Sequence, residues 1–299
     1  MQYPLVLIFY NRPKSLNRLL NSLKKHKFKK IYIISDGPKN NNDIKLVNQC
    51  RKKINDFNFN CKTYQKFSIK NLGLKKNIIS GLNWVFKRES AAIILEDDCI
   101  PSSEFFTFIE VMLKKFKNNK KISSICGTNH LSKWTKKSDS YIISKYFHSW
   151  GWATWKNRWN NTDLDAYKLI KKTDKNKMIN YLGSLRAYVY WSLILKKIEN
   201  NKIDSWAYLW NYANFLKKKK HIIPCVNLIS NFGIGKNSTN TKKLLYTYIP
   251  SYKINKNKLF PLKFEADKNN STEFDKNIED IVYSKSFKNR ILWLFKKYK

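Results

Sequence analysis

The chain has 299 residues, 59 of them Lys or Arg against 21 Asp and Glu, for a formal charge of +38; with 42% hydrophobic residues it can bury a large core and is not a disordered chain. Such a charge points first to phosphate-rich partners, nucleic acid or an anionic membrane surface. Only 7 of the 59 basic residues are Arg, however, and the Lys is spread along the whole chain, which reads as a solvated basic surface rather than a dedicated polyanion groove.

The first half alternates apolar runs with helical periods. Residues 3–9 (YPLVLIF) read as a buried strand, and Pro13 opens a helix with Leu16, Leu19, Leu20 and Leu23 on one face. Residues 30–35 (KIYIIS) form a second strand that ends at Asp36, Gly37 and Pro38, a turn signature. A helix from about Asp43, a strand near 61–67, and a helical stripe of Ile78, Ile79, Leu82, Val85 and Phe86 follow. Residues 91–95 are a strand apolar on both faces, and they lead into Glu96, Asp97, Asp98 and Pro101. A helix over 103–116 and a strand over 122–126 complete this half. Strands alternating with helices imply an α/β fold with a mostly parallel sheet.

Beyond Asn129 the pattern changes. Residues 130–220 are rich in Trp and Tyr and mostly helical by period, with candidate helices near 175–200 and 205–219. A short strand over 221–229 leads into the Gly-containing loop SNFGIGKNSTN. Residues 286–299 (SFKNRILWLFKKYK) read as a basic amphipathic helix, suited either to an anionic bilayer surface or to packing on the core. These changes divide the chain into 1–129, 130–245 and 246–299. Five cysteines with no CxxC spacing indicate neither a zinc site nor a disulfide framework. Without a leader-like start or an apolar run of about 20 residues, the expectation is a cytoplasmic protein, soluble or peripheral at the inner membrane surface.

The acidic triplet carries the most chemistry. Three adjacent carboxylates at a strand's carboxyl end resist full ionisation unless a cation compensates them, and hard oxygen ligands suit Mg²⁺ or Mn²⁺. The triplet alone reads equally well as an acidic turn before a helix capped by Ser102 or Ser103.

Four ordered blocks, LIFYNRPKSL, IISDGP, ILEDDCIPSSEFF and the pair SWGWATW and KIDSWAYLW, resemble nucleotide-sugar glycosyltransferases of the GT-A fold. In motif order they are most similar to the N-acetylglucosaminyltransferase I family and its bacterial relatives, over about residues 3–240. The resemblance implies a Rossmann-like sheet with a helical, aromatic-rich C-terminal part, divalent metal, and a sugar moved from a nucleotide donor. It places Asn11 and Arg12 on the nucleotide side, Asp36 on the uracil imide, and Asn71, Gly73 and Lys75 in a loop closing over the donor. Asp98 becomes the metal ligand, with Glu96 and Asp97 on ribose, sugar or metal-bound water. Trp150, Gly151 and Trp152 would wall the sugar, His148 would touch phosphate, metal or acceptor, and Asp204 would be the general base of an inverting transfer.

Each assignment has a structural competitor: a turn-forming Asp36, a solvent-facing Lys75, a core role for the aromatics, a structural His148, and a helix cap at Asp204 or Ser205. Core packing is the expectation for Trp155 and Trp159. The expected function is transfer of N-acetylglucosamine or a related hexose, UDP-linked, to a surface-glycan or lipid-linked acceptor. A nucleic-acid-binding protein and a non-catalytic sugar-binding module are the rivals.

Overall fold

The computed structural model describes residues 1–134, 140–232, 260–263 and 268–280. The 233–240 part of the Gly-containing loop and the basic tail 286–299 lie outside the described residues. The main sheet holds eight strands: β1 (Leu5–Phe9), β2 (Lys30–Ser35), β3 (Lys62–Phe67), β4 (Ala91–Glu96), β6 (Ile122–Cys126), β7 (Tyr141–Ser144), β8 (Trp152–Trp155) and β9 (Lys220–Pro224). Their order is β3-β2-β1-β4-β8-β6-β9-β7. The pairs from β3 through β4 are parallel, whereas β8 runs antiparallel to both β4 and β6. A two-stranded ribbon joins β5 (Cys99–Pro101) to β10 (Ile229–Asn231).

Alternation along β1 explains its unbroken apolar sequence. Leu5, Leu7 and Phe9 point into one hydrophobic cluster, with Leu16, Leu19, Leu20 and Leu23 of α1 (Pro13–Leu23), Cys50 and Ile54 of α2 (Asn41–Asp56), and the Phe-rich face of α4 (Phe105–Lys115). Val6 and Ile8 point into the other, which α3 (Leu74–Phe86) covers together with the C-terminal helices. A strand buried on both faces has no room for polar alternation. By contrast β3 (KTYQKF), at the sheet edge, is largely exposed and carries two Lys, which discourages edge-to-edge pairing.

The second half supplies α5 (Lys156–Trp159), α6 (Ala166–Lys171), α7 (Lys175–Leu182), α8 (Leu185–Glu199), α9 (Trp206–Leu216) and, past the undescribed stretch, α10 (Lys268–Ile278). The helix expected over 175–200 is two helices, because Gly183 adopts a left-handed conformation (φ 75°) and stops α7. Residues 130–220 are also less helical than their composition suggests, since β7 and β8 lie among the aromatics. Strands from residues 141–224 complete the sheet begun by residues 5–126, so the two halves share one framework. Part of the 246–299 region belongs to it too: Asp275 on α10 accepts hydrogen bonds from the Ser144 hydroxyl and the Lys145 N–H.

Candidate active site

The sheet order dictates where a ligand can sit. From β1 the chain moves outward to β2 and β3, then returns to place β4 on the other side of β1, so the connections leaving β1 and β4 diverge. A crevice opens at the carboxyl ends of such a strand pair. Ile8 is level with Glu96 across this pair, so Asn11 and Arg12 emerge facing the acidic triplet.

Arg12 closes the crevice. Its Nη1 donates to Asp98 Oδ2 at 2.5 Å, and its Nη2 lies 3.4 Å from Asp97 Oδ1. Asp97 is an interior anchor, 2% exposed, and its other oxygen accepts the Tyr10 N–H at 3.2 Å. Asp98 is 15% exposed and is held from the far side as well, by the Cys99 thiol and the Asn231 amide on Oδ1, while its carbonyl accepts the Phe232 N–H. Glu96 is half-buried, and its carboxylate accepts no hydrogen bond among the described residues. Burial and the Asp98 charge push the Glu96 carboxyl above its ordinary range; burial does the same for Asp97, with Arg12 pulling the other way. For Arg12, burial alone would weaken the proton, but Asp97 and Asp98 outweigh it and hold the guanidinium more firmly charged.

The neighbouring loop hangs on Asp36. Its Oδ1 accepts the N–H groups of Gly37 and Leu72, both at 2.8 Å, and its Oδ2 accepts the Gly73 N–H at 3.0 Å and the Asn71 amide at 3.1 Å. Four donors fill the four acceptor positions of a carboxylate. Asp36 is therefore the clip that holds the 71–73 loop against β2, with its carboxyl raised by burial. This is the structural role of Asp36, and the uracil contact that the resemblance implies is not among these bonds. Asn11 is likewise committed, donating to Asp43 on α2 at 2.7 Å.

Asp204 meets this loop from the second half. Its two oxygens accept the N–H groups of Leu74 and Lys75, at 2.7 and 3.0 Å, which are the first residues of α3. Gly73, the residue in the N-cap position, offers no side-chain cap, and Asp204 supplies one from 130 residues away. Gly73 sits at φ 79°, and a Cβ there would lie 2.9 Å from Asp204 Oδ2, so backbone conformation and close approach both require glycine. Lys75 itself is partly exposed and enters this contact only through its backbone.

The aromatic block separates into two roles. Trp152 is fully buried in β8, stacked on Trp206 at 5.1 Å and next to Trp159 and Trp210, which stack on each other at 5.1 Å. It therefore belongs to the core, correcting the expectation that it walls a sugar; Trp155 and Trp159 are core residues as expected. Trp150 is partly exposed at the start of the same segment. Because β8 is antiparallel to β4, Trp152 is level with Ile94 and Trp150 falls at the carboxyl end of β4. Gly151 (φ 61°) makes the turn between them, and a Cβ there would strike Ile229 Cδ1 at 2.5 Å.

His148 is buried, with Nδ1 2.9 Å from the Thr128 carbonyl and its ring 4.1 Å from that of His130. Burial pushes His148 down to about 4 and His221 to about 3. Both are neutral in the fold, whereas in the unfolded chain they take up protons near pH 6.5. Their contribution is thus complete above pH 6.5 and is lost on acidification towards pH 4, at about 1.4 kcal/mol per pH unit for each histidine. In melting curves over this range, His148→Gln is expected to lose stability less steeply with acid than the parent protein; identical slopes would contradict the assignment.

Among the described residues no three His, Cys, Asp or Glu side chains converge on a metal-sized point. That is compatible with Mg²⁺-type binding, which relies on one or two carboxylates plus substrate phosphates and water rather than an all-protein cage. The outer oxygen of Asp98 and the unpartnered Glu96 fit such a role.

A parallel-sheet crevice lined by carboxylates and an arginine, completed by an antiparallel strand, defines a GT-A-like glycosyltransferase fold. Residues 5–189 match the family model described as Glycosyl transferase family 2. The chain belongs to that family and is a glycosyltransferase. The matched span includes Arg12, Asp36, the acidic triplet and Trp150, and ends before Asp204. Among solved structures, the chain is similar to mannosyltransferase PcManGT from Pyrobaculum calidifontis in complex with GDP-Man and Mn2+, at 9% identity and a TM-score of 0.38 over 71% of this chain and 69% of that one. A comparison with curated protein sequences found no match.

Proposed function

We propose that this glycosyltransferase transfers a hexose, N-acetylglucosamine or a relative, from a UDP-linked donor to a surface-glycan or lipid-linked acceptor, with metal assistance and inversion at the anomeric carbon. The observation that carries the reading is the crevice between β1 and β4, where one arginine and three carboxylates meet with Glu96 left unpartnered. In this reading a divalent cation held by Asp98 would neutralise charge developing on the departing diphosphate. Arg12 supplies a second positive charge beside it, in a form suited to phosphate. Asn71 and Gly73 set the loop over the donor, with Asp36 fixing that loop from behind. Trp150 offers its exposed part to the sugar, and Asp204 takes the proton of the acceptor hydroxyl.

No helix among the described residues is long and apolar enough to cross a membrane. Peripheral attachment through residues 286–299 remains part of the proposal, motivated by their alternating basic and apolar sequence. A thermal-shift screen of nucleotide sugars with and without Mn²⁺ tests the core of the reading. A ligand binding only the folded state at 100 times its Kd stabilises by about 2.7 kcal/mol. A metal-dependent rise with one nucleotide is the expected result, and no shift with any nucleotide would remove the donor assignment.

A further inference from the structure

We propose that Arg12 is a latch: without donor it occupies the oxygen of Asp98 that the cation needs, and it releases that oxygen when a diphosphate arrives, making metal and nucleotide binding mutually dependent. This rests on the metal reading of Asp98 given above. Three observations support it. The 2.5 Å contact of Nη1 occupies Asp98 Oδ2, while Oδ1 is turned towards Cys99 and Asn231. The Arg12 side chain is 27% exposed, so an incoming phosphate can approach it without the core opening. Finally, Asp98 does not depend on Arg12 for its position, because Asn231 and the Phe232 N–H hold it from the β10 side.

Charge balance makes the exchange favourable only with both ligands present. A lone cation approaching Asp98 meets the positive Arg12 at the oxygen it needs, and a lone diphosphate meets the acidic triplet. A diphosphate offers the guanidinium a bidentate partner and brings negative charge that a cation can share. Asp97, buried and tied to the Tyr10 N–H, remains to orient the arginine stem. Each ligand thus removes the cost that the other would face alone, and linkage requires the effect to be equal in both directions.

The test measures Mn²⁺ binding by the full chain, by electron paramagnetic resonance or calorimetry, with and without UDP. The parent protein is expected to bind Mn²⁺ roughly 5–150-fold more tightly with UDP present, the range usual for coupled sites. Arg12→Met should bind Mn²⁺ more tightly than the parent without UDP, bind UDP more weakly, and lose most of the coupling. Arg12→Lys keeps a charge beside Asp97 but cannot span both carboxylates, so it should fall between the two; it also serves if Arg12→Met does not fold. Donor-free Mn²⁺ affinity that is unchanged or lower in both variants, with metal-dependent UDP binding intact in the parent, overturns the latch alone. Absence of Mn²⁺ binding by the parent even with UDP overturns both the latch and the metal reading.

Discussion

Asp204→Asn is expected to lower kcat by about 10²–10⁴-fold while leaving UDP affinity within a few-fold of the parent, the size of effect that loss of a general base produces. The structure makes this a sharper experiment than the residue type suggests, because Asp204 has a second duty at the start of α3. Asparagine retains one acceptor oxygen for the Leu74 N–H, but its amide group would face the Lys75 N–H as donor against donor. Loss of such a cap costs about 0.5–2 kcal/mol, so a lower melting temperature accompanies the kinetic defect in either case. The two duties separate in the kinetics. If Asp204 only holds the loop, donor KM rises with the loss of stability and kcat at saturation survives. If it is the base, kcat falls and donor KM barely moves. Steady-state kinetics with a saturating acceptor, beside melting curves, reads both.

The second large effect is on stability. Trp152→Ala is expected to destabilise the protein by about 3–5 kcal/mol, as removal of a large buried aromatic does. Trp152 is 0% exposed and fills the space between Phe147, Trp159, Trp206 and Trp210, so alanine leaves a void that four large rings cannot close. A chemical-denaturation midpoint shifted with unchanged slope, together with unaltered KM for the donor in whatever fraction stays folded, is the signature of a core role. A variant with near-parental stability and impaired sugar binding would return Trp152 to the pocket wall.

What could be read from the sequence follows from the physics of each element. The strands β1, β2 and β4 were legible because burial on both faces demands largely apolar runs, and β6, although Ser123 and Ser124 interrupt it, has the expected bounds. The acidic triplet was legible because its charge interrupts such a run. The strands β7 and β8 were not, since Trp, Tyr and Ser in a stretch of helical period give no two-residue alternation. The three-residue strands β5 and β10 exist only because each pairs with the other, a contact between residues about 130 apart.

The same limit governs the site. The resemblance places Arg12 on the nucleotide side, and the structure adds what sequence could not give, its pairing with Asp97 and Asp98. The turn-forming alternative for Asp36 anticipated its local bond to Gly37, but the hold on Leu72 and Gly73 is long-range. Asp204 was expected to cap a helix, and it does cap one, but the helix is α3 rather than the α9 that follows it in sequence. Local spacing predicts a cap; only the fold reveals whose.

The insertion of β8 between β4 and β6 bears on how the chain comes to its native state. Strand β4 carries the acidic triplet, yet its second edge is satisfied only by residues 152–155, about 60 positions later. During synthesis, the ribosome therefore releases this apolar strand well before its partner. Until β8 arrives, the parallel unit 1–129 presents an open, hydrophobic edge of the kind that pairs promiscuously with other chains. The solvating lysines that cover the outer surface cannot protect this inner edge. Closing that edge and walling the crevice are thus tasks of the same four residues, 152–155, with Trp150 just before them at the carboxyl end of β4.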